Sequence, residues 1–233
     1  MSRPYANNIA NLEFAAHALG DLRKEVTFVG GATTMLLVPE QAYSGVRQTE
    51  DIDVILDIMT RSQYYSFCER LRAKGFKEDV SDEAIICRWI APKTHGKVKV
   101  DVMPTSEEIL GFTNRWYIEA INTAETIKLP MGIDINVVSA PYFLATKMEA
   151  FKSRGKGDYF CHDLEDILFV IENRDNLVIE LFEASVELKD YLADEIGKLY
   201  SSPDFVNILP GLLTMESSEP TVKNTLSLIS RLA

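Results

Sequence analysis

A chain of 233 residues with 46% hydrophobic and 25% charged residues has material for a sizeable core in one large or two small domains. No apolar run approaches the ~20 residues of a membrane span, and the N-terminus lacks a basic-then-apolar signal pattern, so a cytoplasmic protein with no membrane partner is expected. The net charge of −11 excludes a broad basic field, and any nucleic-acid substrate would need a local basic patch.

Residues 4–24 carry Ile9, Leu12, Ala15, Ala16 and Leu19 at helical spacing, with Gly20 near the end. An apolar strand follows (Val26, Phe28, Val29) and stops at Gly30-Gly31-Ala32-Thr33. Without Cβ atoms the two glycines let the backbone turn sharply and offer N–H groups to phosphate oxygens, although such a pair is also an ordinary turn. After a polar loop over residues 40–48, Thr49-Glu50-Asp51-Ile52-Asp53-Val54 alternates. Ile52 and Val54 face a core while Asp51 and Asp53 share the other side. Two carboxylates that close repel each other unless a cation joins them. A divalent ion, Mg²⁺ or Mn²⁺, carrying a nucleotide's phosphates would do so; a solvated strand edge is the alternative.

A helix is predicted over 61–74, with Tyr64, Phe67, Cys68 and Leu71 on its buried stripe and Gly75 as the stop. Strands at 85–90 and 98–103 flank Pro92 and a Lys-Thr-His-Gly turn that holds His95. In the second strand Val98, Val100 and Val102 face one way, and Lys97, Lys99, Asp101 and Met103 the other. Paired beside Asp51–Val54, that strand would bring Asp101 to the acid pair. Three carboxylates can hold two metal ions about 3.5–4 Å apart, and Asp101 could take a hydroxyl proton; an edge acid facing solvent is the alternative. Residues 107–138 read as less regular, with short strands at 127–129 and 133–138 around a Pro-Met-Gly turn. The result is a mixed sheet backed by helices.

Ser139 and Pro141 open a helix over 142–153, striped by Leu144, Met148 and Phe151. Lys147 sits beside that stripe and either runs outward to water or reaches nucleotide phosphates. Residues 153–158 form a basic, glycine-punctuated segment, either a lid or a plain connection. The next helix buries Leu164, Ile167, Leu168 and Ile171, with Asp163 and Asp166 on an adjoining face. One or two helices are expected over 177–199 and another over 221–232, with Pro203 and Pro210 breaking the chain between them. Candidate basic patches are Lys147, Lys152, Arg154 and Lys156, and Lys93, Lys97 and Lys99. Cys68, Cys87 and Cys161 are scattered and read as reduced thiols. His17, His95 and His162 lie too far apart in the chain for a histidine metal site.

Taken together, Gly30-Gly31-Ala32-Thr33, Arg47-x-Thr49-x-Asp51-x-Asp53 and a later strand Asp resemble the DNA polymerase β-type nucleotidyltransferase superfamily. Within it, Leu144-Ala145-Thr146-Lys147-Met148-Glu149-Ala150, then Arg154, then His162-Asp163-Leu164-Glu165-Asp166-Ile167, resemble the AbiEii/AbiGii toxin branch. The segment between the glycines and Asp51 is longer than the superfamily's minimal pattern.

The resemblance implies an α/β (α+β) fold, with a catalytic domain over 1–140 and a helical domain over 141–233 closing a nucleotide cleft. It implies transfer of a nucleoside monophosphate from a nucleoside triphosphate to an acceptor hydroxyl on RNA, such as a transfer RNA, or on protein. Gly30, Gly31, Thr33, Arg47, Thr49 and Lys147 would bind the nucleotide; Asp51, Asp53 and Asp101 would bind metal; and Asp163, beside Asp166, would belong to the active site. A toxin–antitoxin or phage-defence role with a cognate antitoxin follows from the same resemblance. Two other classes stay open. One is a small-molecule nucleotidyltransferase of the aminoglycoside type, with Asp79, Asp82 and Glu83 as an acidic pocket. The other is a non-catalytic binding module.

Overall fold

Leu12, Ala15, Ala16 and Leu19, all fully buried, give the first helix, α1 (Arg3–Leu19). The predicted helix does not run on to 24. Gly20, at φ +59°, ends it, and Gly20–Lys24 form a tight 3₁₀ turn. The computed structural model describes residues 3–81, 85–92, 97–155, 157–214 and 218–232. They fall into two units, residues 1–33 with 46–139, and residues 34–45 with 140–233.

The first unit is built on a sheet whose strands are β1 (Thr27–Val29), β2 (Asp51–Leu56), β3 (Lys77–Glu78), β4 (Arg88–Ile90), β5 (Lys99–Pro104), β6 (Glu125–Lys128) and β7 (Asp134–Val137). Their order is β3-β4-β5-β2-β1-β7-β6. The pairs β2/β5 and β1/β7 are parallel and the others antiparallel, so the predicted mixed α/β sheet is the observed one. Alternation dictates its layering. Ile52, Val54, Val100 and Val102 are buried on one face, against which α2 (Arg61–Ala73) packs through Tyr64, whose hydroxyl donates to the Val102 carbonyl at 3.0 Å. α2 starts at a reciprocal Thr60–Gln63 cap, which satisfies N–H groups that have no partner inside the helix.

The predicted strand over 85–90 pairs only from Arg88 to Ile90. Residues 82–84 and 93–96 lie outside the described residues, and with them Asp82, Glu83, Lys93 and His95. In the stretch read as irregular stand α3 (Glu107–Leu110), ended by Gly111 at φ +83°, and α4 (Tyr117–Asn122). Both are too short for a helical period to show in the sequence.

The second unit is helical: α5 (Ala140–Ala150), a π turn at Phe151–Gly155, α6 (His162–Asn173), α7 (Leu177–Glu183), α8 (Val186–Tyr200), α9 (Pro203–Leu212) and α10 (Glu219–Ile229). Every residue from Ala140 to Met148 is buried, so α5 is the unit's central rod. The expectation that Pro203 and Pro210 break the chain is corrected by α9. Pro203 occupies its first turn, where the missing N–H has no helical partner anyway. Pro210 sits in the last turn, so it forfeits one backbone bond while buried Phe205 and Leu209 hold the helix down. Residues 34–45, the long insertion after the glycines, belong to this unit. Arg174 Nη1 donates to the Leu37 carbonyl at 2.6 Å, and Phe169 packs against Gly45.

One buried polar residue organises the start of β2. Asn8, fully buried in α1, donates from Nδ2 to the Arg47 carbonyl at 2.8 Å and accepts at Oδ1 from the Thr49 N–H at 3.0 Å. Asn8→Ala should lower unfolding stability by about 1–3 kcal/mol, the cost of stranding those two backbone groups. Urea unfolding of the variant checks this.

Candidate active site

The site is a product of strand register. In the antiparallel β1/β2 pair Val29 lies opposite Asp53, so the chain leaving β1 turns immediately over that carboxylate. Gly30 makes the turn at φ +74°, and a Cβ placed there would collide with the Asp53 carboxyl group. A Cβ on Gly31 would overlap the Arg47 guanidinium and lie 2.9 Å from Thr49 Cγ2. Gly30 is therefore required by its backbone and by close approach, with an acid under it and the Arg47 cation beside Gly31. Thr33 closes the turn: its N–H and its hydroxyl both donate to the Gly30 carbonyl, at 3.1 and 2.8 Å. Its side chain is spent on holding the corner's shape.

On the other side β2 meets β5 in parallel, with Asp53 opposite Asp101 and Asp51 opposite Lys99. The predicted gathering of Asp51, Asp53 and Asp101 on one sheet face is thus the observed placement. The sequence reading missed what lies among them. β4 pairs with β5 so that Arg88 stands opposite Asp101. The Arg88 guanidinium forks that carboxylate, Nε to Oδ1 and Nη2 to Oδ2, both at 2.7 Å. Nη2 also donates to Asp51 Oδ2 at 2.8 Å. The Arg88 and Asp101 side chains are 13% and 3% exposed, against 37% for Asp51. Burial pushes the Asp101 carboxyl above its usual range, against the pull of Arg88. The hydrogen bonds to Asp101 hold Arg88 firmly charged. Neighbouring Cys87 is a buried thiol pushed up to about 12, by burial first and then by the charges of Asp101 and Asp53. A signal for Arg88 was in the sequence: a charge inside Ile85-Ile86-Cys87-Arg88-Trp89-Ile90 must be paired if that strand is buried.

A divalent metal needs hard oxygen ligands, and the acid face supplies them in adjacent register. Both Asp101 oxygens are already taken by Arg88, and among the described residues no three His, Cys, Asp or Glu side chains are grouped as metal ligands. Asp51 and Asp53, on one sheet face, are the acids that would hold a metal there.

The second unit holds its own charge cluster. Lys147 Nζ, on α5, lies 3.0 Å from Asp163 Oδ1 and 2.7 Å from Asp166 Oδ2 on α6. Arg154, from the π turn, forks Asp163 at 2.7 and 2.8 Å. The side chains of Lys147, Asp163 and Asp166 are nearly fully buried. Two cations and two anions balance. Lys147 therefore does not take the route to water; it is ion-paired within its unit with Asp163 and Asp166. Burial raises the Asp163 carboxyl, but Arg154 and Lys147 outweigh it and hold it below the ordinary 3.8. Lys152 pairs with Glu195 at 2.9 Å, so the described members of that predicted basic patch all face acids; Lys156 is outside the described residues. Of the predicted acidic pocket, Asp79 borders a cavity of about 330 Å³ in the first unit, among Tyr64, Tyr65, Arg72, Ile86 and Trp89.

No protein-family model and no curated protein matches the chain. Among solved structures, an antigenic nucleotidyltransferase-like protein from Paracoccidioides brasiliensis is 20% identical, with 89% of this chain and 92% of that one covered and a TM-score of 0.55. JHP933 from Helicobacter pylori is 13% identical over 100% of this chain and 91% of that one, with a TM-score of 0.47. The chain shares its mixed α/β fold with the first of these.

Gly30→Ala forces a side chain into left-handed backbone above Asp53, and should cost at least about 1–3 kcal/mol in denaturant unfolding. Asp163 binds its proton less tightly folded than unfolded, so its contribution is fully present above pH 3.8 and is lost as pH falls through the lower folded value. Unfolding stability followed from pH 6 to about pH 2 should fall in that acid window, and Asp163→Asn should flatten part of the slope.

Proposed function

We propose that this chain is a metal-dependent nucleotidyltransferase, moving a nucleoside monophosphate from a nucleoside triphosphate to a hydroxyl acceptor. One observation carries the reading: the glycine corner at Gly30 is seated directly on the Asp53 carboxylate, with Asp51 beside it on the same sheet face. A backbone that approaches so closely brings main-chain N–H groups beside carboxylates, a combination suited to a metal-bound phosphate. The nucleotidyltransferase-like fold supports it.

In this mechanism the acceptor hydroxyl gives its proton to solvent as its oxygen bonds to the α-phosphorus, the bond from that phosphorus to the α–β bridging oxygen breaks, and pyrophosphate leaves. Mg²⁺ or Mn²⁺ on Asp51 and Asp53 would withdraw charge from the phosphates and align the attack. The backbone at Gly30 and Gly31 would offer N–H groups to the phosphates, and Thr33 fixes the turn's shape. The Arg47 guanidinium, lying against Gly31, places positive charge at that corner and counters the charge that builds on the departing phosphates. Thr49, anchored through Asn8, sets where β2 begins and hence where Asp51 and Asp53 stand.

The acceptor we favour is a protein hydroxyl. The net charge of −11 opposes a polyanionic partner, and the described lysines and arginine of the second unit's basic run are ion-paired at home. A toxin or phage-defence role, with a cognate antitoxin, is the biological setting we propose with it.

The test incubates the protein with each α-labelled nucleoside triphosphate, Mg²⁺ and a lysate split into protein and RNA fractions. Label should enter protein, and Asp51→Ala/Asp53→Ala should lower incorporation by at least about a hundredfold. Mg²⁺ with the preferred triphosphate should raise the melting temperature of the wild type and not of that double variant. Label in RNA alone overturns the acceptor assignment; no label in either fraction, with no thermal shift, overturns the activity.

A further inference from the structure

We propose that the cavity between α2, α3 and β4 seats the acceptor, a protein segment that places one large apolar side chain there while its hydroxyl is offered to the acid face. The inference rests on the protein-acceptor reading above and deepens it by naming how that acceptor is recognised.

The cavity encloses about 330 Å³, room for one aromatic or branched aliphatic group. Its walls are braced before any guest arrives. From α2, the Arg61 guanidinium donates twice to the Glu108 carbonyl of α3, at 2.9 and 2.8 Å. The Tyr64 hydroxyl fixes α2 to β5 through the Val102 carbonyl. Arg72 pairs with Glu78 of β3, and its guanidinium lies 5.3 Å from the centre of the Trp89 ring on β4. A site already held in shape loses little further freedom when it is filled.

The bracing also decides the chemistry of the guest. Arg61, Arg72 and Glu78 are bonded into the walls, and Arg88 is bonded to Asp101 and Asp51. Asp79 accepts from the Ser81 N–H at 3.1 Å. The lining left to meet a guest is chiefly apolar, with Tyr64, Ile86, Trp89, Ile109 and Leu110 around it. The rim carries that character outward: Tyr65, Val80 and Ile86 are 65%, 90% and 72% exposed. Scattered apolar residues are ordinary on a protein surface, but three about the mouth of one cavity mark a contact surface. A small molecule held inside would leave the rim wet, whereas a polypeptide crossing it covers rim and cavity together.

Arg88 connects this cavity to the acid face. It belongs to the cavity wall, and its guanidinium lies on Asp101 and Asp51. A guest anchored in the cavity therefore has its neighbouring residues within about one side chain's length of those carboxylates, a gap that extended backbone covers in about two to four residues. Both places lie in the first unit, so the acceptor is held against the same sheet that carries the acids.

The experiment labels the isoleucine δ1 methyl groups of the full chain with ¹³C. It titrates N-acetyl-phenylalaninamide and N-acetyl-leucinamide, against N-acetyl-lysinamide, up to their solubility limits. The two apolar amides should shift the Ile85, Ile86 and Ile109 signals, and the lysine amide should not. Tyr65→Ala/Ile86→Asp, changed at exposed positions, should weaken this binding at least about tenfold, followed at Ile85 and Ile109. At a limiting concentration of the protein fraction, the same variant should incorporate label at least about tenfold more slowly. Mg²⁺ with triphosphate should still raise its melting temperature as in the wild type. Equal shifts with the lysine amide, or none with the apolar amides, overturn the inference. So do shifts that follow protein concentration without any amide, which would put a second copy in the cavity. Undiminished transfer by the variant overturns it too, and leaves the proposed function standing. Apolar binding of the expected pattern without transfer by the wild type overturns that function instead, and leaves the cavity as a seat for apolar side chains.

Discussion

Asp53 is flanked on both sides by consequences of strand pairing. Because β2 runs antiparallel to β1, the chain must reverse over Asp53, and only a residue without a Cβ can do so at that distance. Because β2 runs parallel to β5, a second acid arrives at the same height, and a third strand then delivers Arg88. A slip of one residue in any of these pairings would carry the corresponding side chain to the helix-covered face and dismantle the arrangement. The apolar residues between the acids prevent it. Ile52, Val54, Val100 and Val102 are buried on the opposite face, so the core that stabilises the sheet also fixes which carboxylates meet.

Buried charge is handled alike in the two units. Arg88 with Asp101 and Asp51, and Lys147 and Arg154 with Asp163 and Asp166, are both networks in which buried ions are bonded to opposite charge, with Asp51 and Arg154 as their solvent-exposed members. Removing a buried member of such a network costs about 3–5 kcal/mol, whereas replacing the whole by apolar residues is often neutral, so stability alone does not account for its presence. In the first unit the network lies on the acid face beside the glycine corner. In the second it ties α5 to α6 through the π turn. That turn is the place where the predicted long helix over 142–153 stops being α-helical, and it presents Arg154 to Asp163.

Much of this was legible in the sequence because two-residue alternation is an unambiguous signal. The runs around Asp51–Val54 and Val98–Val102 announced strands, their inner faces and the convergence of three acids. Arg88 escaped because attention to paired acids suggested a metal, while the alternative counter-ion sat in a strand read only for its apolar content. Asn8 escaped because a single polar residue in an amphipathic helix has no periodic signature; its partners are backbone groups some forty positions away. Pro203 and Pro210 were read as breakers by a rule that holds for helix interiors, and α9 places them at its two ends.

The assignment of residues 34–45 to the second unit carries a consequence for biosynthesis. Translation proceeds from the N-terminus, so Leu37 and Gly45 leave the ribosome well before Arg174 and Phe169, the residues they bond and pack against. The strands on either side of that insert can pair while it hangs as an unanchored loop. Only when α6 has emerged does the loop find its seat, so the nascent polypeptide must shelter Leu37, Val38 and Ala42 until more than a hundred further residues have been made.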